Sequence, residues 1–400
     1  MGQHVLVLTY WSYTDALIQT YTLPYVKMIS RNVGSDSQVT LVTFDREPIT
    51  NIAELDQSGI KHLSFHYSNF GVRSVLTIFQ TIFKLFRYTL KNRVTTIHAW
   101  GTTAGALGYF LSMLTGKSLV IDSYEPHAES MVENGTWKKN GTPFKILFQL
   151  EKLETKRAKY LIGTTSGMQE YAKKKYNYFG NNFFVKPACV NLNHFKSSPD
   201  DTMRMRKKLG IATTDIVCVY AGKFGGIYLN SEIFDFIKIC VGYWKEGFKI
   251  ILLTNEPARN IEDSRKKAGI PDGIITCLFV PHSSVNEYMS VADFALNPVV
   301  PVPSKKYCTS IKDGEYWAMG LPVVITKGIS DDSDIIETNR IGSVIQELNE
   351  TAYLKSIVEL DALLKENTKA QLNEKIRLIA KKYRSYDIAE NIYKAIYSGL

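Results

Sequence analysis

Cys308-Thr-Ser-Ile-Lys-Asp-Gly-Glu-Tyr-Trp-Ala-Met-Gly-Leu-Pro-Val-Val324 reads as a loop, a helix over 312–319, a stop at Gly320 and Pro322, and a buried strand over 323–326. Thr309 and Ser310 are N-cap residue types, and a helix start leaves backbone N–H groups without intrahelical partners. With Lys312 in its first turn, such a start is a natural phosphate site. Glu315, one turn further in, offers a carboxylate to the hydroxyls of a sugar. The same residues also suit a capped surface helix carrying an i, i+3 Lys–Glu pair.

Working outward, strands and helices alternate on both sides of this stretch. In the first half, apolar runs at 4–10, 39–44, 60–65, 96–99 and 118–122 read as strands, with helices over 16–31, 74–92 and 143–158. In the second half, runs at 216–220, 249–254, 274–279 and 293–297 repeat the rhythm, and helices are expected over 352–365 and 374–382. That alternation describes parallel α/β sheets of Rossmann type, in which ligands sit outside the carboxyl ends of the strands. The exit loops after Tyr10, Ala99 and Ile121 are therefore of interest, as is the glycine-rich loop Ala221-Gly-Lys223-Phe-Gly-Gly226. Four hundred residues suit two domains, and 196–202 is the most linker-like segment.

Lys312-x-x-Glu315-Tyr-x-Ala-x-Gly-x-Pro-Val-Val resembles the donor-binding segment of the retaining GT-B glycosyltransferases of family GT4 (glycosyl transferases group 1). The resemblance implies an α/β protein of two Rossmann-like domains whose parallel sheets face a central cleft. Residues 1–190 would form the acceptor-side domain, 203–382 the nucleotide-sugar-binding domain, and 383–400 a last helix crossing back to the first. The implied donor-binding residues are Gly222, Lys223, Val280, Thr309, Ser310, Ile311, Lys312 and Glu315, with the glutamate on the ribose and the base beside Val280-Pro-His282. His127, in Asp122-Ser-Tyr-Glu-Pro-His127-Ala-Glu129, matches the histidine that contacts the donor sugar from the first domain, and Glu125 or Glu129 is placed to orient it. His127, Lys223 and Glu315 are thus the implied catalytic residues, and Tyr10, Trp11, Asp15 and Trp100 lie on the acceptor side. The chain departs from the family pattern at Tyr307, where a glutamate is usual, and at Tyr228, where a lysine is usual.

The activity implied is transfer of a sugar from a UDP- or GDP-linked donor to a glycan or lipid-linked acceptor in cell-surface polysaccharide synthesis, with retention and without metal or further cofactor. The alternatives are a catalytically silent nucleotide-sugar-binding or scaffolding subunit and a sugar-nucleotide epimerase of the same fold. Asp332-Ser-Asp334 is formally the Asp-x-Asp of metal-dependent transferases, but its loop reads as solvated or helix-capping. Lone histidines such as His127 also serve structural roles.

Charge adds a further expectation. The net charge is +9, and between Asp56 and Asp122 there is no acidic residue while Lys61, Arg73, Lys84, Arg87, Lys91, Arg93 and Lys117 all fall there. Such a run points to an anionic partner. No nucleic-acid recognition motif is present. In the helix over 74–92, Val75, Phe79, Ile82 and Phe86 form an apolar stripe widened by Leu76, Ile78, Phe83 and Leu85, beside a polar stripe of Gln80, Lys84, Arg87 and Lys91. That arrangement suits peripheral contact of Lys84, Arg87 and Lys91 with an anionic membrane. The opening residues read as a strand rather than a signal peptide, Leu6 argues against myristoylation, and five scattered cysteines fit a reducing cytoplasm.

Overall fold

The computed structural model describes residues 2–34, 36–49, 51–67, 72–196 and 198–398, without the side chains of 72–76. It divides into two compact units, Met1–Pro187 with Asp387–Leu400, and Ala188–Tyr386.

In the first unit the described strands are β1 (His4–Leu8), β2 (Gln38–Asp45), β3 (Ile60–His66), β4 (Thr96–Trp100), β5 (Ser118–Tyr124), β6 (Tyr160–Gly163) and β7 (Phe183–Val185). They pair in parallel in the order β3-β2-β1-β4-β5-β6-β7. β1 and β4 are buried along their whole length, as expected of central strands covered on both faces. β3 alternates between covered and open positions, which suits an edge. The helix expected over 16–31 is split. A widened turn, Leu17–Thr22, precedes an α-helix, Leu23–Asn32, with Pro24 in its first turn. A proline has no N–H to give the preceding turn, and its ring crowds the carbonyl four residues back.

A buried polar hub fastens the last helix, Tyr386–Tyr397, within this unit. Asp122 lies 3.2 Å from the Lys186 ammonium and accepts a 2.7 Å bond from the Tyr393 hydroxyl. His98 bridges Asp122 (3.2 Å) and the Tyr397 hydroxyl (2.6 Å). Burial alone would raise the Asp122 carboxyl, but Lys186, His98 and Tyr393 together hold it below the usual range.

The second unit holds β8 (Ile216–Ala221), β9 (Phe248–Leu253), β10 (Ile275–Leu278), β11 (Phe294–Asn297), β12 (Val323–Thr326) and β13 (Gly342–Ile345), parallel and in the order β10-β9-β8-β11-β12-β13. One core packs around Trp317, Tyr316 and Ile325, another around Phe236, Ile250 and Tyr353. Each unit thus has the Rossmann-like architecture expected from the strand–helix alternation.

Two local expectations are corrected. Of the most linker-like segment, residues 199–202 are helical, because Ser198 accepts a bond from the Asp201 N–H (3.1 Å) and starts the helix Pro199–Lys208. Asp332 is not solvated. It is buried at the start of the helix Asp332–Asn339 and is gripped by the equally buried Arg384.

Candidate functional site

In the second unit the strand order reverses between β8 and β11, so their exit loops part and leave a crevice at the carboxyl ends of the strands. The β8 exit, residues 222–230, carries Gly225 and Gly226 at φ of 73° and 65°, conformations that favour glycine. The loop is strapped to the β11 exit by an antiparallel bridge, Tyr228 to Val299. Leu229 N–H donates to the Pro298 carbonyl (2.8 Å) and Val300 N–H to the Ile227 carbonyl (3.0 Å). Both exits are therefore rigidly placed.

The helix Ile311–Ala318 meets the β8 exit through Lys312 in its first turn, which lies against Gly222 and Tyr228. Beneath it, the side-chain amide of Asn297 donates to both oxygens of Asp313 at 2.8 Å, and Arg384 joins Asp332 to the Thr309 hydroxyl. Burial and the neighbouring Asp332 drive the Asp313 carboxyl well above its usual range. Neither expected cap forms, because Arg384 takes the Thr309 hydroxyl and the Ser310 hydroxyl makes no cap bond.

Lys312 does not pair with Glu315. Its ammonium donates to the Tyr228 hydroxyl at 2.7 Å and lies 4.0 Å from the centre of that ring. Its chain crosses Gly222 so closely that a Cβ there would lie 2.5 Å from the Lys312 Cε. Glu315 is buried, and its Oε1 is 2.8 Å from Nε2 of His282. The surface-pair reading of this helix is therefore wrong, since tertiary neighbours at 228 and 282 outcompete the local contact. The hydrogen bond to Glu315 raises the His282 imidazole above its ordinary value. His282 also stands face-on to His194, ring centres 6.4 Å apart. Ile311 and Val280 are half-buried near this end of the sheet, and Lys223 is exposed, its carbonyl accepting from the Tyr220 hydroxyl.

In the first unit, His127 opens the short helix His127–Glu133 and is partly exposed, its Nδ1 4.0 Å from Glu125 Oε1. The Glu129 carboxylate binds Lys175 at 2.8 Å. Sequence reasoning missed Glu151. It is wholly buried, accepts from the Ala128 N–H at 2.8 Å and from the Tyr176 hydroxyl at 2.8 Å, and is pushed up to about 7 by burial. The available signal was its position on the inward stripe of its helix, at helical spacing from Phe144 and Leu147.

Among the acceptor-side candidates, Tyr10 rests on Phe44 with ring centres 4.9 Å apart, Trp11 is half-buried beside Gly101, and Asp15 is exposed, accepting from the Leu17 N–H at 2.8 Å. Trp100 is corrected. It is 1% exposed, stacked on Tyr25 and His98, with the Lys186 ammonium 4.7 Å from its ring centre, and so belongs to the core.

On the helix Val72–Lys91, Lys84, Arg87 and Lys91 are all exposed. The expected apolar stripe is rotated. Thr81, Leu85 and Thr89 face inward, whereas Phe79 and Phe83 are 67% and 60% exposed. Val75 and Leu76 lie outside the residues whose side chains are described. No described helix is long and apolar enough to cross a membrane. Among the described residues no cluster of three or more His, Cys, Asp or Glu could hold a metal ion.

Residues 303–392 match the family model described as the C-terminal domain of glucosyltransferase 3-like proteins. No curated protein matches the chain in sequence. Among solved structures, HepE from Anabaena in complex with UDP superposes with a TM-score of 0.73 at 14% identity, covering 100% of both chains. Sucrose-phosphate synthase from Thermosynechococcus elongatus gives the same score, identity and coverage. WaaG, a glycosyltransferase involved in lipopolysaccharide biosynthesis, gives 0.72 at 14% identity, covering 98% of this chain and 99% of its own. With two parallel Rossmann-like sheets and these superpositions over the whole chain, the protein has the GT-B glycosyltransferase fold.

Proposed function

We propose that this protein is a glycosyltransferase that moves a sugar from a UDP- or GDP-linked donor to a glycan or lipid-linked acceptor, with retention at the anomeric carbon and no metal. The observation that carries the reading is Lys312. It is a half-buried ammonium without a carboxylate partner among the described residues, set beside a helix start at the β8/β11 crevice. A cation so placed favours an anionic ligand. Glu315, one turn behind, suits the ribose hydroxyls. HepE has been crystallised with UDP-glucose, and WaaG acts in lipopolysaccharide biosynthesis, which supports a nucleotide-sugar donor and a role in cell-surface polysaccharide synthesis.

In this reading the bond between the anomeric carbon and the diphosphate oxygen breaks, its electron pair leaves with the diphosphate, the acceptor's hydroxyl oxygen bonds to that carbon, and the hydroxyl proton passes to the departing diphosphate. Lys312, Lys223 and the amides at the start of the helix Ile311–Ala318 stabilise that charge as it develops in the transition state. His127 is assigned to the donor sugar. The exposed Phe79, Phe83 and Leu90 beside Lys84, Arg87 and Lys91 support peripheral contact with an anionic bilayer, which suits a lipid-linked acceptor on the cytoplasmic face. The test is a thermal-shift screen of UDP-, GDP- and dTDP-sugars followed by a donor-hydrolysis assay. Binding with slow release of nucleoside diphosphate supports the transferase. Binding without release converts the reading to a silent binding subunit, and no binding removes it.

A further inference from the structure

Tyr228 has no part in the reading above, yet it is the polar partner of the ammonium on which that reading rests. A lysine ammonium can only donate, so in the 2.7 Å contact the phenol oxygen is the acceptor. The phenol's own hydrogen must then point elsewhere, and no acceptor for it lies within reach among the described residues. The ring is not adjustable at little cost. Its backbone is bridged to Val299, its N–H donates to the Gly225 carbonyl at 3.1 Å, and its face covers the Lys312 side chain. Gly222 leaves the room this arrangement needs, since any side chain there would collide with Lys312 and with the Tyr220 ring. The pair therefore presents an ammonium and an O–H donor side by side at the strand-order reversal, with no carboxylate to neutralise them.

We propose that Tyr228 is a further catalytic residue, its phenol O–H donating a hydrogen bond to the diphosphate that Lys312 neutralises and strengthening that bond as the anomeric C–O electron pair moves onto the leaving oxygen. The proposal rests on the donor reading of this site. No proton needs to transfer, because the phenol acts as a fixed dipole whose oxygen accepts from Lys312 while its hydrogen donates to the diphosphate. A phenol held by an ammonium thus adds a neutral donor beside the Lys312 charge.

The test is calorimetry of UDP, GDP and dTDP, and of the corresponding nucleosides, against wild type, Tyr228→Phe, Lys312→Ala and the double variant, with donor hydrolysis measured on the same proteins. Tyr228→Phe keeps the ring and the bridge and removes one O–H. It is expected to weaken the bound nucleoside diphosphate about ten- to a hundred-fold. The nucleoside should be unaffected, and hydrolysis turnover should fall by about a hundred-fold. The double variant should bind the diphosphate more weakly than Lys312→Ala alone, because the two groups donate separate bonds. Wild-type affinity and turnover in Tyr228→Phe overturn the proposal, and so does an equal loss for nucleoside and diphosphate, which would mark a displaced loop. If wild type binds none of the three nucleotides, the donor reading itself falls, whatever Tyr228 does.

Discussion

Nε2 of His282 lies 2.8 Å from Oε1 of Glu315, so the carboxylate assigned to the donor ribose is already engaged by a half-exposed imidazole on the β10 exit. The contact raises the imidazole above its ordinary value. A histidine raised in the folded state binds its proton more tightly there, so its stabilisation is fully present below its unfolded value of about 6.5 and is lost as pH rises through the folded value. His282→Gln is therefore expected to lower stability at pH 5.5 by up to about 1 kcal/mol, as for a partly exposed pair. The difference from wild type should shrink at pH 8.5. Thermal unfolding at both pH values checks this, and a pH-independent difference would remove the ion pair.

Lys312→Ala and Glu315→Gln should each weaken nucleoside-diphosphate binding while the second unit stays folded. Each loses a charge-assisted bond of about 1.5–3 kcal/mol, so the dissociation constant should rise roughly ten- to a hundred-fold. Calorimetry with circular dichroism measures both properties, and unchanged affinity in both variants would detach this helix from the donor.

His127→Ala should act on turnover rather than on donor affinity. A contact needed mainly in the transition state lowers kcat while leaving ground-state binding nearly intact. A fall of at least about ten-fold in sugar transfer, at near-constant nucleotide affinity, is expected. Activity within a few-fold of wild type would leave His127 as a structural residue.

Glu154 gives the same pH direction as His282 from a different cause, burial rather than an ion pair. Both its oxygens are buried without a hydrogen-bond partner among the described residues, pressed against the space above Gly105, and burial holds the carboxyl well above its usual range. A carboxyl raised in the folded state costs stability as pH rises above its unfolded value of about 4.3. Glu154→Met should therefore stabilise the first unit, by about 1–3 kcal/mol at pH 8 and by less at pH 4.5. A melting temperature unchanged or lowered at pH 8 would show that the carboxyl has a stabilising partner.

The helix Val72–Lys91 should hold the protein on anionic vesicles through Lys84, Arg87 and Lys91, each contributing about 1 kcal/mol near the surface. Reversing all three to Glu should release it without altering nucleotide binding, and Phe79→Ser with Phe83→Ser should weaken the contact even at low salt. Flotation with anionic and neutral vesicles reads both variants. Equal binding of wild type to the two vesicle types would point instead to a soluble acceptor.

Two Rossmann-like sheets were legible in the sequence because continuous apolar runs such as His4–Leu8 and Val323–Thr326 can be covered only by helices on both faces. The chain likewise displayed the residues that make the donor site plausible, since a lysine in a helix's first turn and a glycine loop after a strand carry their chemistry locally. Which groups those residues meet was decided only by tertiary structure. Lys312 and Glu315 stand one turn apart and look like a surface pair. Strands distant in sequence instead bring Tyr228 and His282 to them, and a hydrogen bond at 2.7–2.8 Å outweighs an exposed i, i+3 contact. Trp100, Glu151 and Asp332 were misread or missed for the same reason. Burial depends on how strand exits and helices converge in space, and a polar or aromatic residue at such a point looks in sequence like any other on a loop or helix face.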